Sequence, residues 1–413
     1  MLKESYSLSE VADILGVSKE TLRRWDTNGK LISQRNDENN YRYYKKDQLQ
    51  DFEQAQFMFK GQWSEASEQT YTTEKYTVLE LFAGAGGMAL GLEKAGLKSV
   101  MLNEIDAHAC KTLRKNRPHW NVVEGDVAGV DFSGYRGIVD VLAGGFPCQA
   151  FSYAGKKLGF EDTRGTLFFE FSRAVKEISP KVILAENVRG LLNHDDGRTL
   201  NTIKDIIKDL GYTLFEPRIL KAMFYKVPQK RERLILIAVR NDLVDRSEFE
   251  WASPYHKVLT LKDALKKGEL YDTDVPLSEG QKYPPRKAEI LSMVPPGGYW
   301  RDLPEAIQKE YMLKSYYLGG GKTGMARRLS WGEPSLTLTC APAQKQTERC
   351  HPEETRPLTV REYARIQTFP DDWVFEGSMS AKYKQIGNAV PVNLSMAVGK
   401  SIINLLRSIE KTA

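Results

Sequence analysis

The sequence predicts an α/β protein: a doubly wound, mostly parallel sheet carrying a smaller inserted domain, preceded by a separate helical module. Three observations carry this expectation. From Tyr76 onward, short β-branched or apolar runs (TVLELFAG, SVMLNEID, IVDVLAGG, KVILAENV, RLILIAVR) alternate with helical stretches, the pattern of strands in one sheet with helices on both faces. The first sixty residues have a helix-turn-helix pattern of their own. Residues 246–354 interrupt the alternation and match no general motif.

With 413 residues, 41% of them hydrophobic, the chain has room for one large domain and one or two smaller ones. No run approaches the roughly 18 apolar residues that cross a bilayer, so no membrane partner is expected. The start, MLKESYSLSE, lacks the basic stretch and apolar core of a signal peptide. The four cysteines, Cys110, Cys148, Cys340 and Cys350, form no CxxC pair. A disulfide scaffold or structural zinc is therefore not expected, and a cytoplasmic, reduced chain is. Cys340, Cys350 and His351 lack a fourth ligand, so no metal is assigned. A net charge of +5 is compatible with nucleic-acid contact.

In the N-terminal module, Ser7 and Glu10 have capping-box spacing ahead of Val11, Ile14 and Leu15, a helical pattern that Gly16 stops. Ser18 is placed to cap a second helix, KETLRRWDTNGK, with Leu22 and Trp25 inward and Asn28-Gly29 at its end. The polar and aromatic stretch Leu31–Tyr44 is expected to form a hairpin wing, and one helix from about Asp47 to Phe59 closes the unit. A small helical cap that merely packs on the main domain is the alternative. The segment SLSEVADILGVSKETLRRWDTNGKL resembles the winged helix-turn-helix of MerR-type regulators. That resemblance implies a DNA-binding domain over residues 1–60, its second helix entering the major groove so that Thr21, Arg23 and Arg24 meet DNA. Residues 61–75, polar and small, read as a linker.

Thr77–Leu81 predicts a buried strand, followed by Phe82-Ala83-Gly84-Ala85-Gly86-Gly87 and a helix through Lys94. A glycine-rich turn there lets backbone approach a ligand beside a helix N-terminus. Glu104, after the next strand, suits ribose hydroxyls; Asp126, after the third, suits an adenine amino group. A dinucleotide enzyme shows the first two features as well. All three at successive strand ends favour an adenosine-containing ligand.

The segment Gly144-Gly145-Phe146-Pro147-Cys148-Gln149-Ala150-Phe151-Ser152 puts a cysteine just past a strand, at the sheet edge where open α/β folds bind ligands. A lone cysteine is more often a small buried hydrophobe, so its neighbours must decide. FAGAGG, GFPCQAFS, DTRGTLFFE, AENV, QKRER, TVREYARIQTFPDDW and QIGNAVPVN occur in this order. In this the chain resembles the cytosine-C5 DNA methyltransferase family of bacterial restriction-modification type, over about residues 76–240 and 355–405.

The resemblance implies a class I S-adenosylmethionine-dependent methyltransferase fold. The catalytic domain would comprise 76–245 and 355–413, around a target-recognition domain at 246–354. It makes Cys148 the nucleophile. Cytosine C5 attacks a methyl sulfonium poorly until a thiolate adds to C6 and turns the ring into an enamine-like species. Charge then builds on N3 and O2, where Glu186 would serve as an acid, a role calling for burial and a raised pKa. Arg231 and Arg233 would supply donors for the base oxygen and orient the pocket; without the family pattern, a KRER run reads as a surface ion-pair cluster. S-adenosylmethionine would be held by Phe82, Gly84, Gly86, Gly87, Glu104, Ile105, Asp126, Val127, Leu167 and Asn388. The target base must leave the duplex stack, and Gln149–Arg164 resembles the family's mobile loop, with Ser152, Lys156 and Arg164 as DNA contacts. In the recognition segment, the basic residues Lys322, Arg327 and Arg328 are assigned to DNA. The implied partners are double-stranded DNA, promoter DNA at the N-terminal module, and a cognate restriction endonuclease. A transfer-RNA methyltransferase on the same scaffold is the alternative, against which the recognition segment and the N-terminal module both count.

Overall fold

The computed structural model describes residues 4–37, 39–59, 75–146, 167–255 and 257–411. The chain divides into two compact units, residues 1–69 with 250–257, and residues 70–249 with 258–413.

The first unit runs β1 (Ser5–Ser7), α1 (Leu8–Leu15), α2 (Lys19–Thr27), β2 (Gln34–Arg35), β3 (Arg42–Lys45), α3 (Lys46–Gln50) and α4 (Glu53–Phe59). The capping box forms: Glu10 N–H donates to Ser7 Oγ at 3.3 Å and Ser7 N–H to Glu10 Oε2 at 2.8 Å. Gly16 ends α1 at φ 70, in the left-handed region that glycine enters freely. Val11, Ile14, Leu15, Leu22, Tyr44 and Leu49 form the core. Asp26 pins the hairpin to α2, accepting from Ser33 N–H and Oγ at 2.8 Å and from Arg42 Nε at 3.0 Å. Three expectations need correction. Trp25 is only half-buried, stacked on Phe52 with ring centroids 5.7 Å apart. The closing helix is two helices, because the chain turns at Asp51-Phe52 to bring that ring onto Trp25. The expected hairpin, formed by β2 and β3, is also part of a three-stranded sheet in which β1 pairs antiparallel with β3.

The second unit holds a mixed sheet. Its strands are β4 (Tyr76–Leu81), β5 (Leu97–Glu104), β6 (Val122–Glu124), β7 (Val141–Gly144), β8 (Val182–Val188), β9 (Tyr212–Leu214), β10 (Arg218–Lys221) and β12 (Glu232–Arg240). The order is β10-β12-β8-β7-β4-β5-β6, with β9 also pairing β12. The run from β8 to β6 is parallel, whereas β12 is antiparallel to its neighbours β8, β9 and β10. That reversal follows from the connection: β10 reaches β12 without a crossover helix, and only a crossover returns a chain parallel. Strand order reverses between β4 and β7, so the crevice outside their carboxyl ends is the position where such sheets bind ligands.

Helices α5 (Gly87–Ala95), α6 (Ala107–Asn116), α7 (Leu167–Ile178) and α8 (Arg198–Asp209) alternate with the strands. Leu79 and Leu81 point into the core shared with α7 and α8, together with Met101, Leu142, Phe171 and Ile203. Because strand side chains alternate, Glu80 points to the other face. There α14 (Val392–Lys411) and the residues just before it lie against α5 so closely that a Cβ on Gly87 would come 2.3 Å from Val390 O, and one on Gly91 2.4 Å from Val392 O. The apolar stretch 379–411 is long enough to cross a bilayer, yet 72% of its most apolar window is buried inside the protein, as in a core helix.

The inserted segment contributes α9 (Leu261–Leu265), α10 (Pro285–Ser292), α11 (Glu305–Met312) and β13 (Ser335–Leu336), which pairs parallel with β11 (Gln229–Lys230). Its own core spans Tyr283 to Cys350 around Trp300, Tyr311 and Met325. Leu261, Ala264 and Leu265 instead pack in the main core with Tyr363 of α12 (Val360–Ile366) and Tyr383 of α13 (Met379–Asn388). Leu329 and Leu338, later in the segment, join the same main cluster.

Candidate active site

The turn after β4 fixes one wall of the crevice. Phe82, Gly84 and Gly86 take φ 60, 55 and 84, and Gly86 caps α5. A Cβ on Gly84 would meet nothing within 4 Å, so open space lies beside this backbone. Glu104, at the end of β5, accepts from Gly84 N–H at 2.7 Å, Ile105 N–H at 2.9 Å and Asp106 N–H at 2.8 Å. Three of the roughly four acceptor sites of that carboxylate are thus filled by backbone, leaving about one for a ligand hydroxyl. Ile105 is 68% exposed, unusual for an isoleucine beside a core, and Asp126 is exposed with Oδ1 accepting Ala128 N–H. Val127 is buried under the sheet, and Leu167 starts α7 half-buried against the same cluster. Asn388 is exposed at the end of α13, its Oδ1 3.1 Å from Cys340 Sγ.

The other wall is built by β7 and β8. Phe146 is buried against Phe168 and Phe171 with centroids 5.0 and 5.7 Å away, which anchors the chain as it leaves β7. Asn187 Nδ2 donates to Phe146 O at 2.9 Å. This asparagine is the positioning residue that the AENV motif contained and that sequence reasoning passed over. Cys148, Ser152, Lys156 and Arg164 lie outside the described residues. Glu186 is 9% exposed at the end of β8, and Arg233 Nε lies 2.5 Å from its Oε1. A Cβ on Gly145 would stand 2.8 Å from Glu186 Oε2, so any larger residue there has to push the carboxylate aside.

Arg231 departs from its expected role. It is 1% exposed and its guanidinium donates to Leu338 O (3.2 Å), Gly387 O (2.9 Å) and Asn388 O (3.4 Å). It is therefore a clamp between chain segments rather than a donor reaching a substrate oxygen. Burial, with Arg233 nearby, drives its pKa well below the ordinary arginine value. Gln229 extends the clamp: Oε1 accepts Leu338 N–H, and Nε2 donates to Gln367 Oε1 at 2.9 Å. Gln367 in turn donates to Ile386 O and Ala389 O.

The recognition-segment cations are corrected similarly. Arg328 is 3% exposed and donates to Leu291 O, His351 O and Thr355 Oγ1. Lys322 Nζ donates to Ser315 O at 2.6 Å and to Leu318 O. Arg327 is mostly enclosed, 4.0 Å from Glu333. A basic run in a glycine-rich loop looks like a phosphate grip, but here Lys322 and Arg328 are used to satisfy main-chain carbonyls. In the first unit, Thr21 shares a 2.9 Å bond with Ser18 Oγ, Arg23 is exposed and paired with Glu20, and Arg24 is exposed.

One acidic residue escaped sequence reasoning. Glu80 is 1% exposed inside β4, and its Oε2 has no hydrogen-bond partner among the described residues. Burial, reinforced by Glu104 and Glu186, pushes its pKa well above the usual carboxylate range. The only signal was an acid in an otherwise apolar strand.

Residues 76–404 match the C-5 cytosine-specific DNA methylase family, and residues 7–44 match the MerR family of regulatory proteins. The Type II methyltransferase M.Eco47II of Escherichia coli is 84% identical over 411 residues, covering 100% of this chain and 98% of its own. M.PspPI of a Psychrobacter species, also a Type II methyltransferase, is 64% identical over 98% of this chain and 97% of its own. Among solved structures, a prophage-encoded E. coli protein described as a DNA modification methyltransferase superposes with TM-score 0.58 at 26% identity, over 81% of this chain and 100% of that one.

Proposed function

Since this chain belongs to the C-5 cytosine-specific DNA methylase family, we infer from its geometry how its residues divide the reaction. The enzyme is a sequence-specific DNA methyltransferase that methylates C5 of cytosine in duplex DNA, in restriction-modification. S-adenosylmethionine, when bound, supplies the methyl group.

The residues around the glycine turn fit that cosubstrate: an open space beside Gly84, a fixed carboxylate at Glu104, and an exposed apolar side chain at Ile105. Phe82, Gly84, Gly86 and Gly87 would cradle it, with Glu104 on the ribose, Asp126 on the adenine amino group, and Ile105, Val127, Leu167 and Asn388 bordering it. Cys148 loses its proton and bonds through sulfur to C6 of the flipped cytosine, so that the C5=C6 electron pair becomes available at C5. Glu186 shares a proton with N3 as charge gathers there, and Arg233 holds that carboxyl in place. After methylation, loss of the C5 proton expels the thiolate and restores the ring double bond. Ser152, Lys156 and Arg164 contact DNA around the flipped base.

The observation that carries this reading is the Glu186–Arg233 pair, nearly buried beside Gly145 at the strand end leading to Cys148. Labelled-methyl transfer to duplex DNA tests it. Cys148→Ser should abolish turnover while sparing cofactor binding, Glu186→Gln should slow it by orders of magnitude, and 5-fluorocytosine DNA should trap the protein covalently. An active Cys148→Ser protein, or labelling of RNA in preference to DNA, would overturn it.

The first unit is read as a winged helix-turn-helix that binds promoter DNA through Thr21, Arg23 and Arg24 of α2 and regulates its own or a neighbouring gene, in support of which residues 7–44 match the MerR family. A protein lacking residues 1–60 should methylate normally but lose its gel shift on its own promoter; an unchanged shift sinks the proposal. A restriction endonuclease acting at the same target is the implied partner.

A further inference from the structure

Lys322 and Arg328, expected to grip DNA from the inserted segment, instead donate to carbonyls inside the protein, and around Lys322 those bonds build a closed loop with an apolar tip. Lys322 Nζ closes the loop on Ser315 O and Leu318 O, and Trp300 Nε1 donates to Gly321 O at 3.2 Å. Tyr316 packs edge-on against Trp300, with centroids 6.0 Å apart. Above this base, Tyr317 is 77% exposed and Leu318 65%, with Leu313 at 64% on the same turn.

We propose that Tyr317 and Leu318 are the tip with which the recognition segment enters the target duplex, a proposal that rests on the DNA-methyltransferase reading. Charge agrees with a polyanion. Residues 311–332 carry Lys314, Lys322, Arg327 and Arg328 and no carboxylate, and Lys314 is exposed at the tip. Gly319 and Gly320 follow, and a Cβ on either would meet nothing, so a phosphate backbone can approach the main chain closely. The tip is also tied to the Arg231 clamp: Glu348 N–H donates to Gly324 O at 2.9 Å, Arg349 Nε to Thr337 O at 3.1 Å, and Arg231 to Leu338 O. An aromatic face and a branched apolar group are suited to stacking on bases, wedging between base steps or touching a thymine methyl.

The test uses the full chain, unmethylated bacterial DNA made by amplification, and labelled S-adenosylmethionine. Tyr317→Ala with Leu318→Ala should lower kcat/KM for DNA by roughly 5- to 100-fold. Affinity for S-adenosylhomocysteine and the melting midpoint should stay unchanged, as should the salt dependence of DNA binding, because no phosphate contact is lost. Leu318→Glu should lower activity further, with a deficit that shrinks as salt rises, whereas Leu318→Lys should recover activity at low salt. Unchanged kcat/KM in the double variant and in Leu318→Glu overturns the assignment. So does a wild-type dimer that these substitutions dissociate, since the tip would then cover a second copy. Failure of the wild-type protein to label any DNA would instead defeat the activity reading beneath it.

Discussion

Replacing Glu80 by glutamine should stabilise the protein by an amount that depends on pH. The wild-type side chain is 1% exposed with one oxygen unpartnered among the described residues, and the negative charges of Glu104 and Glu186 act on it. In the unfolded chain it titrates near 4.5; in the folded protein its pKa is raised well above that. Between the two values the native state holds a proton that the unfolded state has released, so this group's contribution to stability falls as pH rises. The contribution is fully present below the unfolded value and is lost through the folded one. The slope can reach about 1.4 kcal/mol per pH unit. From pH 5 to 7 the wild type should therefore lose up to about 3 kcal/mol relative to Glu80→Gln. Glutamine keeps the volume and leaves one polar end unpartnered as before, so any cost of that kind is a constant offset. Urea denaturation of both proteins at pH 5, 6, 7 and 8 measures the difference, and its levelling-off marks the folded-state titration. A difference that is flat across this range, or that favours the wild type more as pH rises, would refute the reasoning.

Three further outcomes follow from contacts described above. Gly145→Ala puts a methyl 2.8 Å from Glu186 Oε2; displacing that acid should cost about a hundredfold in kcat, read by single-turnover methyl transfer, with little change in melting midpoint. Gly87→Ala meets the backbone carbonyl of Val390 at 2.3 Å, which cannot swing away as a side chain would, so urea denaturation should show a loss of about 1–3 kcal/mol. Arg231→Met leaves the buried carbonyls of Leu338 and Gly387, and the partly buried one of Asn388, without their guanidinium donor; a loss of at least about 2 kcal/mol is expected by the same method, and an unshifted denaturation midpoint would return Arg231 to the pocket.

Much of the fold was legible because apolar runs and glycine turns record burial directly. Ser7, Glu10 and Gly16 marked both ends of α1, and Phe82–Gly87 marked the sheet edge that matters. Strand direction was not legible: RLILIAVR looks like its parallel neighbours, and only the short return from β10 makes β12 antiparallel. Arg231 and Arg233, two apart, look like one face of one strand. The strand breaks between them, with β11 ending at Lys230 and β12 starting at Glu232, so periodicity cannot be carried across. Arg233 follows the β12–β8 register to Glu186, while Arg231 turns into the core. Arg328 was misread because a cation in a glycine-rich loop advertises solvent, and nothing local reveals which carbonyls the loop leaves bare.

The clamp around Arg231 has a consequence for how such enzymes can diversify. Its partners, and those of Gln229 and Gln367 across the same seam, are largely main-chain groups: the carbonyls of Leu338, Ile386, Gly387, Asn388 and Ala389 and the amide of Leu338. On the inserted segment's side only the amide and carbonyl of Leu338 take part, which any residue but proline supplies, although the Leu338 side chain is itself buried in the main core; across the seam Gly387 has to be glycine, since a Cβ there would stand 2.4 Å from Thr339 O. A reader of another sequence can use the same socket wherever it brings one amide, one carbonyl and an apolar side chain to the place of Leu338.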